Sequence, residues 1–156
     1  MKIYLPDKTE INLNGFTLKF NKQGEIVHLE KDGRVIADKK HRLLSLMYEQ
    51  FCANDYKRFY TQYNRCDETW AREDFTKPGI ETGTDCYMRF EPLTANVYPI
   101  LDKLLVRYTF PPKAHKECGC PLLFDLIISA EDDGLMFDLA WFAKPANRVA
   151  EGLWVG

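Results

Sequence analysis

The sequence predicts an all-β fold, an antiparallel β-sandwich with one short helix. Three observations carry this. Short apolar segments alternate with polar residues at period two. They recur at short spacing, separated by Gly, Pro, Asn and Asp. Aromatics make up 13% of the 156 residues, an excess that suits pleated sheets.

Taken in order, Phe16, Leu18 and Phe20 alternate with Thr17 and Lys19, the pattern of a half-buried strand. Asn21–Gly24 supplies a turn, since Gly accepts the positive φ of a tight reversal. Ile26 and Val27 begin the return strand. Lys31-Asp32-Gly33 turns the chain again before Val35 and Ile36, which completes a meander. Leu43–Phe51 reads as a further strand. Tyr56, Phe59, Tyr60 and Tyr63 then fall at i, i+3, i+4 and i+7, one stripe of a helix that Asn54 or Asp55 would cap.

Residues 65–83 read as an irregular loop, and strands resume at CYMRFEP (86–92) and KLLVRYTF (103–110). The prolines and glycine of PPKAHKECGCP (111–121) predict a loop. LLFDLIIS (122–129) and GLMFDLAWFA (134–143) predict a hairpin near the centre of the core, and LWVG (153–156) a last strand that leaves the sheet unfinished. The length suits one domain over residues 1–156.

A net charge of −2 and the lack of any basic run exclude a general attraction to nucleic acid or anionic lipid. No apolar run approaches the ~20 residues of a membrane span. Asp7 and Glu10 interrupt the stretch a signal peptide would need. Five cysteines at irregular spacing are no disulfide framework and fit a reducing, cytoplasmic setting.

Three clusters carry residues suited to chemistry. WFAKPANRVAEGLW (141–154) gathers Trp141, Lys144, Asn147, Arg148, Glu151 and Trp154, of which Trp141, Lys144, Asn147, Arg148 and Glu151 would carry ligand contacts. Indole faces beside amide, guanidinium and carboxylate groups suit a saccharide, because the ring covers the C–H side of a pyranose and the polar groups read its hydroxyls. The competing reading packs both tryptophans and pairs Arg148 with Glu151 to pin a strand crossover. WAREDFTKPGIE (70–81) adds Trp70 and Arg72 as secondary ligand contacts; Glu73 and Asp74, adjacent on an extended loop, point apart and make a poor acid–base pair. His115, Cys118 and Cys120 could open a zinc site, but C-x-C is not the usual knuckle spacing. No nucleophile elbow, P-loop or dinucleotide fingerprint occurs. Neither catalytic residues, nor a metal, nor a cofactor are expected.

GFTLKFNKQGEIVHLEKDGRVIAD (15–38), YEQFCANDYKRFYTQYN (48–64) and the two tryptophan-bearing motifs together resemble the β-sandwich portion of bacterial proteins similar to the α-mannosidases of glycoside hydrolase family 38. Ala150 and Gly152 depart from the R-x-P-E-A-x-W pattern of the last motif. The resemblance implies a galactose-mutarotase-like supersandwich, here incomplete. In such proteins a separate α/β barrel holds the zinc and the catalytic carboxylates. Nothing in this chain corresponds to that barrel, so no catalytic residue carries over. The expectation is a non-catalytic, carbohydrate-associated module, a fragment or remnant of a larger protein, whose partner is a carbohydrate or a separate catalytic chain. Two alternatives stand beside it. One is a sugar-epimerase-like enzyme pairing His28, His41 or His115 with a carboxylate. The other is a module that homodimerises through an open sheet edge near Leu153.

Overall fold

The computed structural model describes residues 10–65, 87–147 and 150–156. Trp70, Arg72, Glu73, Asp74 and Arg148 lie outside them. The described chain is all-β and sandwich-like, built from three antiparallel sheets with two helices.

The first sheet is the expected meander, β1 (Ile11–Leu13), β2 (Phe16–Phe20), β3 (Ile26–Lys31) and β4 (Arg34–Ala37), in that spatial order. Phe16, Leu18 and Phe20 are all buried, as their alternation predicts. The β2–β3 turn is held by Asn21 Oδ1, which accepts the backbone N–H groups of Gln23 and Glu25. Gly24, at φ +87°, lies so near the next sheet that a Cβ there would sit 2.6 Å from Ala95 Cβ and 2.7 Å from Tyr108 Cε1. Only glycine satisfies both demands.

The second sheet has the order β10-β9-β8-β7. β7 (Thr94–Ile100) and β8 (Lys103–Thr109) form one hairpin; β9 (Leu123–Ala130) and β10 (Leu135–Phe142) form the predicted one. Tyr108, Phe124, Leu126 and Ile128 are buried here. Across its outer face Arg107 donates twice to Asp125, at 2.7 and 2.6 Å. β10 departs from expectation. It is an edge strand, exposed at most positions, and does not lie at the core centre.

The third sheet pairs β11 (Glu151–Val155), β5 (Leu46–Gln50) and β6 (Met88–Phe90), with β5 in the middle. The final strand is therefore present, in register with β5 from Glu151↔Gln50 to Val155↔Leu46.

Helix α1 (Ala53–Tyr63) forms where the aromatic stripe predicts it. Neither Asn54 nor Asp55 is the N-cap; Cys52 is, and Asp55 at the third helical position closes a capping box onto Cys52. The stripe pairs along its own helix, Tyr56 with Tyr60 and Phe59 with Tyr63, and no α1 residue is buried. The expected loop at 111–121 contains a second helix, α2 (Pro112–Cys118), which starts at a proline and ends at Gly119 in the left-handed region (φ +74°). A proline costs nothing in a first turn, where its missing N–H would have no helical partner. Ala114 and Cys118 turn inward to one buried cluster shared by all three sheets.

Candidate functional site

The C-terminal motif places three of its singled-out residues together. Glu151 projects from β11 on the face it shares with Tyr48 of β5. Its Oε2 lies 2.5 Å from the Tyr48 hydroxyl, 2.8 Å from Lys144 Nζ and 3.1 Å from Asn147 Nδ2. Asn147 Nδ2 also donates to the Cys118 carbonyl at 3.0 Å, and the Tyr48 hydroxyl lies 2.8 Å from that same oxygen. One carboxylate thus links β5, β11, the 143–147 connection and the end of α2. Burial, and then the Glu151 carboxylate, push the Tyr48 phenol well above its ordinary range, so it stays protonated and donates. Beside it the Cys120 thiol is pushed up to about 12, chiefly by burial.

Trp141 is not part of this cluster's bonding; it stands on edge strand β10, 53% exposed. Trp154 on β11 is 50% exposed, so neither tryptophan is core. Its indole leans back over Gly152, where a Cβ would meet Trp154 Nε1 at 2.8 Å. The lack of a side chain at Gly152 therefore leaves room for the ring.

Trp154 lines an open groove of about 670 Å³ together with Gln23, Glu25, Arg42, Ser45, Arg89 and Glu91. These residues come from the β2–β3 turn, the approach to β5, and β6. Their meeting follows from the pairing of β11 and β6 on either side of β5. Glu25 is the anchor: its carboxylate accepts from Arg42 Nη1 at 2.7 Å, Ser45 Oγ at 2.6 Å and Asn21 Nδ2 at 2.6 Å. Arg89 pairs with Glu91 at 3.0 Å. Arg42, Arg89 and Glu91 keep about half or more of their side-chain surface in solvent, and offer free donor and acceptor positions to a ligand. Of the ligand contacts expected from this motif, Trp141, Lys144, Asn147 and Glu151 do not line the groove; Trp154, in the same motif but not among those contacts, does.

The histidines sit elsewhere. His115 Nδ1 lies 2.7 Å from the Cys120 carbonyl, so it donates there as the Nδ1–H tautomer. His28 Nε2 is 3.5 Å from Glu30, and His41 Nδ1 3.3 Å from Asp38, both pairs at the surface. Among the described residues no group of three or more His, Cys, Asp or Glu side chains is placed to hold a metal ion. No helix among them is long and apolar enough to cross a membrane.

Fold and groove define a sandwich-like β protein with an open, tryptophan-walled polar surface. Residues 3–135 match the family described as Domain of unknown function (DUF5054), and the chain belongs to that family. The match spans β1 to β9 and reaches the first residue of β10, so it includes Gln23 to Glu91 of the groove and leaves Trp154 beyond it. Comparison with curated proteins finds no match, and comparison with solved structures finds none.

Proposed function

We propose that the chain is a non-catalytic, carbohydrate-associated β-sandwich module, similar to the C-terminal region of α-mannosidase-like glycosidases, and that it binds a saccharide in the Trp154 groove. The observation that carries this reading is the half-exposed indole of Trp154 on the wall of a groove that also presents Arg42, Arg89, Glu25, Glu91, Gln23 and Ser45 beside the apolar Leu46, Met47, Pro92 and Val155. A pyranose presents one apolar C–H face and a rim of hydroxyls. An indole covers the first, and guanidinium, carboxylate and amide groups bond to the second. Catalysis, in this reading, belongs to a separate chain, and the module needs no cofactor.

The three-way bonding of Glu151 suits a brace better than a ligand contact, since its Oε2 is shared by Tyr48, Lys144 and Asn147. The brace holds β11, and with it Trp154, against β5. The test is a calorimetric titration of the protein with mannose-configured mono- and oligosaccharides, repeated with Trp154→Ala. Millimolar or tighter binding that the substitution abolishes is expected. An absence of heat for every sugar at millimolar concentration, or equal affinity in the variant, would contradict the proposal.

A further inference from the structure

The β10 edge is where the sheet's inner face runs past its cover. β10 pairs with β9 on one side, and among the described residues no strand lies on the other. Opposed residues of an antiparallel pair share a face, so Phe137, Leu139 and Trp141 point the same way as Ile128, Leu126 and Phe124. The β9 residues are buried, yet Phe137 and Trp141 remain 37% and 53% exposed. On the other face Met136 and Phe142 are exposed too.

Natural sheets blunt such edges with proline, lysine, bulges or short strands. The opposite edge, β7, contains Pro99, and β4 is four residues long and begins with Arg34. β10 runs eight residues in unbroken register and contains one charge, Asp138.

We infer that β10 pairs antiparallel with β10 of a second copy of this chain across a two-fold axis, joining two four-stranded sheets into one. Backbone phase and charge select the register. Glu131 N–H donates to Gly134 O, and Leu122 N–H to Phe142 O. Even-numbered residues therefore turn their backbone groups toward β9, and Leu135, Phe137, Leu139 and Trp141 turn theirs outward. Outward groups must meet outward groups, which leaves two registers that use nearly the whole strand. One sets Asp138 against Asp138 of the second copy at the close, non-hydrogen-bonded spacing, where like charges repel. The other centres on Leu139. It sets Phe137 against Trp141 of the second copy, Met136 against Phe142, and Asp138 against Ala140. This second register matches aromatic to aromatic and isolates the charge, and it is the one the dimer adopts. β11, also an edge, is five residues long and turns Glu151 into the bonded cluster, so it offers less.

Sedimentation equilibrium on the full chain, from micromolar to near-millimolar concentration, tests this. A monomer–dimer equilibrium is expected. Trp141→Lys should weaken it by at least about tenfold, the loss typical of a central aromatic contact. Met136→Lys, on the other face, should act in the same direction, so a folding defect in one variant leaves the other to decide. Val155→Lys on β11 should leave the constant unchanged, and Asp138→Asn should move it by no more than about twofold. A monomer at every concentration, or a dimer lost in Val155→Lys and kept in both β10 variants, overturns the inference. A dimer tightened about tenfold or more by Asp138→Asn overturns the register.

Discussion

The Tyr48 hydroxyl stands 2.5 Å from Glu151 Oε2 and 2.8 Å from the Cys118 carbonyl, joining the middle strand of the third sheet to its edge and to the end of α2. A single phenolic proton serves these two acceptors in turn. Tyr48→Phe removes that proton and leaves Asn147 to serve both oxygens, so it should cost about 1 kcal/mol. Glu151→Ala takes one acceptor from Tyr48, Lys144 and Asn147 together, leaving Tyr48 and Asn147 to share the Cys118 carbonyl, and should cost about 2–3 kcal/mol. Urea unfolding of both variants measures the ratio; equal losses would contradict the role given to the carboxylate.

Gly119 has two reasons to be glycine. Its φ of +74° disfavours any L side chain by about 1–2 kcal/mol, and a Cβ would sit 2.5 Å from Asn147 Nδ2. Gly119→Ala should therefore destabilise by more than the backbone penalty alone. In a double-mutant cycle with Asn147→Ala the double variant should lose less than the two single losses together, because truncating Asn147 removes the atoms with which the new methyl group collides. Full additivity would mean that Asn147 moves aside freely.

Acid should loosen the start of α1 before it loosens the sheets. Asp55 Oδ2 accepts from both the backbone N–H and the Sγ of Cys52, each at 3.1 Å, and these bonds hold its carboxyl below the ordinary 3.8. A carboxyl whose folded pKa is lowered adds stability that is present above its unfolded value. That stability is lost as pH falls through the lower folded value. Amide exchange at Ala53–Tyr56 should thus rise relative to the sheets below about pH 4, and Asp55→Asn should remove that pH dependence. An unchanged profile in the variant would rule out the capping carboxylate as the cause.

The thiols of Cys118 and Cys120 should be inert in the folded protein. Both are buried, and the Cys120 thiol is pushed up to about 12, with Lys144 only partly offsetting the cost of burial. A thiol reacts as its thiolate, and little thiolate exists far below the pKa. Iodoacetamide at pH 8, followed by peptide mass spectrometry, should leave both unmodified until urea is added. Rapid native labelling of Cys120 would contradict the burial.

Much of the scaffold was legible because period two survives in β2 and β8, because β9 is a long apolar run bounded by turns, and because the stripe from Tyr56 to Tyr63 fits only a helix. Other elements were hidden by residues with two meanings. Pro112 and Gly119 were read as breakers, although proline at a helix start and glycine past its end are boundary signals too. Pro99 masked β7 for the same reason, being tolerated there because β7 is an edge strand. LMFDLAWF and LLFDLIIS are almost equally apolar, so composition could not tell that the first is an edge and the second a core strand; pairing order decides that. The groove was unreadable for a different reason. Gln23, Arg42 and Arg89 are ordinary surface residues until β5 and its neighbours bring them beside Trp154.

The central claim, that the Trp154 groove receives a sugar, is most directly tested by a two-dimensional NMR titration with a mannose-configured oligosaccharide, on the wild type and on Gly152→Ala. The account predicts saturating shifts at the Trp154 indole N–H and at Gln23, Arg42 and Arg89. It also predicts weaker binding in the variant, whose methyl group displaces the indole. Shifts confined to other surfaces, or none at all, would contradict it.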